Sequence, residues 1–334
     1  MTQPEPPGAP GVDGAPVVLV GPTASGKSAL AHELARRRAE AELVSVDSMC
    51  VYRGMDIGTD KPDPSMRRVV PYHVLDVVDP SEEFTVRQFQ HESERALAEI
   101  AARGHRALFV GGTGLYVRSV VDRLNLPGRW PAVAAELEDE AGRPGGVERL
   151  HARLAAVDPV AATRMTPTNR RRVVRALEVT LGSGRPFSSF GPGLTSFPPT
   201  SFELVGIPFD PAVHDARIEE RFRRLLDRGL LDEVRALAAQ PRGLSRTARQ
   251  ALGYRELLAH VEQGVALEVA VDEAVRRTRA FARRQWAWFR RDPRICWLDP
   301  SRDLLDQLLE AWDGAARRPA ASAAAPRWET DPDG

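Results

Sequence analysis

Lysine is nearly missing from this 334-residue chain: only Lys27 and Lys61 occur, and the other 44 of its 46 basic residues are arginine. A GC-rich coding sequence accounts for the bias most simply, yet Lys27 falls in a glycine-bearing loop where a slim ammonium fits and a planar guanidinium does not. Cysteine is as scarce. Cys50 and Cys296 are too few for a disulfide framework or a zinc site, which fits a reducing compartment. No apolar run approaches the roughly 18 residues of a membrane span, and the opening "MTQPEPPGAPGVDGAP" has neither the basic start nor the apolar segment of a secretory signal. A cytoplasmic protein with no membrane partner is the expectation. Charge of one sign is also missing, since 46 acidic residues balance 46 basic ones; any grip on nucleic acid must lie in local clusters.

What is present is an alternation of strand-like and helix-like segments. "PVVLV", "AELVSVD" and "RALFVGG" read as buried strands that run into Gly- or Asp-bearing loops, with "SALAHELARRRA" and "TVRQFQHESERALAEIAARG" as helices between them. "FELVGI" and "RICWLD" supply two later strands. That order predicts an α/β fold, a doubly wound parallel sheet whose ligands gather at the carboxyl ends of its strands. Between residues 126 and 200 the pattern is helical only, as in "PAVAAELEDEA" and "NRRRVVRALEVTLGSG", which predicts an inserted helical domain. The core then comprises residues 17–125 and 201–313, between a Pro/Gly-rich flank at 1–16 and an Ala/Pro-rich tail at 314–334, both expected to be disordered.

The first strand ends in "GPTASGKS", residues 21–28. Gly21, Gly26, Lys27 and Ser28 satisfy the P-loop pattern: the loop backbone through Pro22, Thr23, Ala24, Ser25 and Gly26 wraps a phosphate with the N–H groups it has, Lys27 reaches its outer oxygens, and the Ser28 hydroxyl suits Mg²⁺. The loop does not say whose phosphates it holds. A hydrolase or kinase usually adds an apolar strand ending in Asp for the metal; here the corresponding strand ends in Gly111, Gly112 and Thr113, and the nearest strand-end carboxylate is Asp47. From spacing alone Asp47 is as well read as a turn former. A kinase of a small hydroxylated metabolite, with Asp47 deprotonating the hydroxyl, and a non-catalytic RNA-binding module both stay open at this level.

"GPTASGKS", "SVDSMCVYRGMDIGTDKP", "YHVLDVVDPSEEFTVRQF", "VGGTGLY", "RRVVRALEV", "LGYREL" and "RRQWAWFR" follow one another over residues 17–299. In order and approximate spacing this series resembles the bacterial tRNA dimethylallyltransferases, also called tRNA isopentenyltransferases. The resemblance implies that the loop holds the diphosphate of dimethylallyl diphosphate, which leaves while the prenyl chain passes to N6 of the adenosine just 3′ of the anticodon, in tRNAs reading codons that begin with U. It implies that Asp47 is the general base, or orients N6, and that Thr113 contacts the target nucleotide. It further implies tRNA contact at Asp47, Ser48, Met49 and Cys50; at Arg171, Arg172, Val173, Val174 and Arg175; at Gln250, Gly253, Tyr254 and Arg255; and at Arg283, Arg284, Gln285, Trp286, Trp288 and Arg290. Some of these arginines, Arg255 among them, are equally suited to diphosphate. Trp286 and Trp288 cannot share one helix face, so at least one of them is expected to be structural. The chain departs from the family at Cys50, where many relatives carry Gln, and at Trp130 to Ala134, where an arginine contact is expected and none is present. A monomer is the expected state.

Overall fold

Runs of branched apolar residues form the centre of the computed structural model, which describes residues 14–191 and 193–317. Strands β1 (Val17–Val20), β2 (Ala41–Val46), β3 (Tyr72–His73), β4 (Arg106–Gly111), β5 (Glu203–Gly206) and β6 (Cys296–Trp297) make one sheet in the order β3, β2, β4, β1, β5, β6. Every neighbouring pair is parallel. Side chains alternate between its faces, as the two-residue strand period requires. Val18, Val20, Val44, Val46 and Phe109 enter one core, and Val17, Leu19, Leu43, Leu108 and Val205 the other.

Helices cover both faces. On the first lie α3 (Val86–Ala102), α4 (Gly114–Val121), α9 (Pro211–Asp227), α10 (Leu230–Ala238), α11 (Tyr254–Gln263) and α12 (Leu267–Phe289). The second is covered by α1 (Lys27–Arg37) and α13 (Leu304–Ala316). A short α2 (Pro64–Val69) precedes β3. Nothing in the residue pattern announces β3, because two residues are too short for a period; it is held by pairing with β2. There His73 and His105 each hydrogen-bond Glu42, to which Arg103 donates two further bonds. Burial alone would raise the Glu42 carboxyl, but these bonds outweigh it and hold the group at about 2.

The chain divides into two compact units, one from the described N-terminus to Val121 and again from Pro199, the other Asp122–Pro198. The second contains α5 (Pro131–Gly142), α6 (Gly146–Val157), α7 (Pro159–Thr163) and α8 (Arg170–Ser183) around Leu137, Leu150, Leu154, Val173 and Leu177. Part of the expected flanks belongs to the sheet-bearing unit. Ala15 is buried and donates from its N–H to the Ala315 carbonyl at 3.0 Å. Arg106, lying 4.0 Å over the Trp312 ring, donates to the carbonyls of Ala15 and Trp312. Residues 1–13 and 318–334 of those flanks lie outside the described residues.

One glycine fixes how closely β4 approaches β2 just before Asp47. A Cβ on Gly111 would stand 2.1 Å from the Val46 carbonyl oxygen, so backbone rather than a flexible side chain would have to move. Gly111→Ala should destabilise the protein by about 1–3 kcal/mol, seen as a lower midpoint in urea; an unchanged midpoint would contradict the packing described.

Candidate active site

The carboxyl ends of β1, β2 and β4 bring three loops together, as expected for an open parallel sheet. After β1 the chain turns through Ala24 (φ 61°) and Gly26 (φ 85°), both left-handed, before α1 begins at Lys27. Such a turning backbone can present N–H groups to an anion. The first turn of α1 has no side-chain cap and no acidic residue, so its N–H groups keep their positive potential. Ser25 is buried, yet its Oγ has no hydrogen-bond partner among the described residues. A polar atom left unpaired in a folded interior is destabilising, and here it lies in a loop built for an anion.

Lys27 is half-buried and donates from Nζ to the Pro22 carbonyl at 3.2 Å. Burial pushes its ammonium down to about 8; Asp47 opposes the shift and Arg221 of α9 adds to it. The loop lysine and the β2-end carboxylate therefore act on one another across the strand ends. Asp47 Oδ1 accepts from the Met49 N–H at 2.8 Å, and no other hydrogen bond to this side chain is found among the described residues. The turn-forming and the chemical readings of Asp47 are thus compatible: one oxygen holds the turn and the other is available. Thr113 stands directly before α4, where its carbonyl accepts from Tyr116 and Val117.

The segment after Asp47 has no regular structure and is held from outside. Glu233 of α10 accepts from the N–H groups of Asp56 (2.9 Å), Ile57 (2.8 Å) and Gly58 (3.2 Å). The Tyr254 hydroxyl donates to Glu233 and accepts from Gly58. Lys61, its ammonium buried, donates to Tyr52 O, Asp56 and Asp76. The second lysine is thus structural. No motif flagged Glu233, since three of its partners are backbone N–H groups about 175 residues away in sequence. His214 was equally hidden: buried on α9 against Phe209, it lies near enough to Lys27 for that cation to depress it further, after burial, its main cause.

Several side chains expected to meet tRNA are turned inward. Tyr254 is fully buried beneath Gly58. Cys50 is buried and its thiol donates to the Thr59 carbonyl at 3.7 Å, while burial pushes the thiol pKa up. Gln285 is buried between two loops, accepting from the Thr23 N–H and donating to the Gly112 carbonyl. Both tryptophans of α12 are packed: Trp286 against Trp297 and Phe209, and Trp288 against Gly114, where a Cβ would meet its Nε1 at 2.2 Å. Val173 and Val174 lie in the helical unit's core. Arg175 pairs with Glu178 and donates to the carbonyls of Pro127 and Gly128. Except for Cys50, which lies in the irregular segment after β2, these residues are on amphipathic helices, whose inner face carries the same motif as the outer one.

Other positions face solvent. Gln250, Arg255, Arg284 and Arg290 are exposed in the sheet-bearing unit, and Arg171 and Arg172 in the helical unit. None of these five arginines has an ion-pair partner among the described residues. Arg283 is exposed but pairs with Asp215 at 2.6 Å. Gly253 is buried with φ 86°, at the start of α11, and Ser48 and Met49 are half-buried.

Residues 50–292 match the family model described as IPP transferase. A tRNA dimethylallyltransferase of Geobacter metallireducens is 47% identical over 289 residues, covering 85% of this chain and 92% of that protein. One from Acidothermus cellulolyticus is 48% identical over 303 residues, covering 89% and 93%. Among solved structures, the tRNA isopentenylpyrophosphate transferase of Bacillus halodurans aligns with a TM-score of 0.65 at 35% identity over 90% of this chain and 96% of its own. A eukaryotic dimethylallyltransferase acting on tRNA aligns with a TM-score of 0.73 at 26% identity, covering 93% and 82%.

Proposed function

The chain belongs to the IPP transferase family, and from that membership we propose how its residues divide the work of the reaction. It transfers a dimethylallyl group from dimethylallyl diphosphate to tRNA. Family membership favours prenyl over phosphoryl transfer; the glycine loop alone does not separate them. The acceptor in this reading is N6 of the adenosine 3′ of the anticodon, in tRNAs that read codons beginning with U.

The observation that carries the division of roles is the meeting of two chemistries at the ends of β1 and β2, the strands on either side of β4: an anion-seeking loop with Lys27 and an unpartnered Ser25 hydroxyl, and the Asp47 carboxylate. The loop, residues 21–28, is a P-loop that receives the diphosphate. As the C1–O bond of the donor breaks, its electron pair moves onto the diphosphate, where the loop N–H groups and Lys27 stabilise it electrostatically. The N6 lone pair attacks C1, and the displaced N6 proton goes to the available oxygen of Asp47. Thr113, at the end of β4, orients the base. The adenine must leave its stack to reach this place, at a cost of a few kcal/mol that is lower in a loop than in a duplex.

The donor set fits Mg²⁺. Ser28 presents an exposed hydroxyl, a hard oxygen ligand, and the described residues hold no His, Cys, Asp and Glu cage of another kind; Mg²⁺ characteristically keeps water and substrate phosphate oxygens as its other ligands. When bound, it supplies positive charge to the leaving diphosphate.

Arg171 and Arg172 of the helical unit, and Arg255, Arg284 and Arg290 of the other, are the cations available for the tRNA backbone, with Arg283 next. Arg171→Ala and Arg172→Ala should each weaken tRNA binding and lower the slope of log affinity against log salt by about one. An unchanged slope, measured by filter binding, would remove them from the interface.

Lys27 sets a pH dependence. The free protein carries a lysine near pKa 8, and a bound anion favours its charged form and raises that value. Donor affinity should therefore be flat below about pH 8 and weaken above it by up to about tenfold per unit, a slope that Lys27→Met abolishes. Calorimetry at constant magnesium would show it; a slope kept in the variant would assign the titration elsewhere.

Incubation with dimethylallyl diphosphate, Mg²⁺ and unmodified tRNA should yield N6-dimethylallyladenosine on nucleoside digestion. ATP consumption with an alcohol acceptor, and no prenylated nucleoside, would overturn the reading. No helix among the described residues is long and apolar enough to cross a membrane.

A further inference from the structure

We propose that Gln285 is a positioning residue for this reaction, which fixes the loop holding the diphosphate relative to the loop holding the acceptor base; the inference rests on the roles assigned above to those two loops. The side chain is 7% exposed and projects from α12 between the ends of β1 and β4. Its Oε1 accepts from the Thr23 N–H at 2.8 Å, and its Nε2 donates to the Gly112 carbonyl at 2.9 Å. The two partners determine the amide's orientation, because an N–H can only donate and a carbonyl only accept. One planar group thus spans Thr23, inside the glycine loop, and Gly112, beside Thr113.

The space around the amide is closed. A Cβ on Gly112 would come within 2.2 Å of Gln285 Nε2 and 3.1 Å of the Gly21 carbonyl oxygen. Glycine at this position lets the two loops and the amide approach one another. The Thr23 N–H bonds outward, to Gln285, which leaves the inner N–H groups of the loop to the anion. In this role Gln285 acts through its two main-chain partners rather than on a substrate. Its effect is on where the donor's C1 lies with respect to N6, and a displacement of about 1 Å between reacting groups is enough to lower a rate about a hundredfold.

Two substitutions separate this role from general packing. Gln285→Met has similar length and makes neither hydrogen bond. Its single-turnover rate should fall about a hundredfold, with donor KM raised and tRNA affinity within about threefold of wild type. Gln285→Glu keeps the acceptor for Thr23, but when ionised it turns an oxygen toward the Gly112 carbonyl with no proton between them. Protonation restores the donor, so the ratio of its rate to that of wild type should rise as pH falls. The corresponding ratio for Gln285→Met should stay flat. A Gln285→Met enzyme with the wild-type single-turnover rate, or a Gln285→Glu ratio independent of pH, would overturn the proposal. If Gln285→Met does not fold, as judged by thermal melting, the pH series on Gln285→Glu decides alone. Absence of prenyl transfer by the wild-type protein would instead refute the assigned reaction, which keeps the two failures apart.

Discussion

Asp47→Asn should lower the single-turnover rate of prenyl transfer by about 10²- to 10⁴-fold, the range typical of a lost general base. It should leave tRNA affinity within about threefold, since the change removes no cation that meets phosphate. Asparagine is the informative substitution because its side-chain carbonyl can still accept from the Met49 N–H, the bond that Asp47 Oδ1 makes at 2.8 Å. The turn after β2 is then kept, and what is lost is a site for the N6 proton. Asp47→Ala removes both and should show a lower melting temperature besides. A rapid-quench time course with saturating substrates separates chemistry from product release. If the Asn enzyme transfers at the wild-type rate, Asp47 is a turn former and the proton leaves by another route.

Lys27→Ala should reduce kcat/KM for the donor by about 10²- to 10³-fold, as for other groups that stabilise a developing anion in a site shielded from water. The ammonium is held in the free protein against its own desolvation, which lowers it to about 8. A cation so placed interacts more strongly with an arriving diphosphate than one in water does. The loss should appear in donor binding and in the chemical step, with tRNA affinity unchanged by filter binding. A tRNA affinity that falls as far as the donor kcat/KM would contradict the separation of donor and acceptor sites. Lys27→Arg should not rescue activity, because a planar guanidinium delocalises its charge and cannot present it to the phosphates as a compact ammonium does.

The parallel sheet was legible because its main strands are apolar runs with glycine or aspartate at their carboxyl ends. Val17–Val20, Ala41–Val46 and Arg106–Gly111 could be located from period and punctuation alone. The two-residue β3 carries no period and depends on its neighbour. The loop of residues 21–28 was legible for the same reason that it works: left-handed backbone and a helix start both restrict the residues allowed. Contacts between distant segments were not legible. Glu233 caps three backbone N–H groups of residues 56–58, and Gln285 joins Thr23 to Gly112; in each case the partner is main chain, which leaves no trace in residue type. The basic clusters divided in the same way. Arg171 and Arg175 are equal as letters in "NRRRVVR", yet Arg171 is exposed while Arg175 is committed to Glu178 and two carbonyls. The helical turn decides which, and the run of letters does not.

The central claim is that the loop after β1 holds the diphosphate of an allylic donor with its reacting carbon turned toward Asp47. A crystal structure with an inert thiolo analogue of dimethylallyl diphosphate and a tRNA anticodon stem-loop measures this directly. The account predicts the diphosphate against the N–H groups of the loop and the Lys27 ammonium, and C1 between the diphosphate and an extruded adenine whose N6 is hydrogen-bonded to Asp47. A diphosphate bound outside that loop, or an adenine whose N6 lies beyond reach of Asp47, would contradict it.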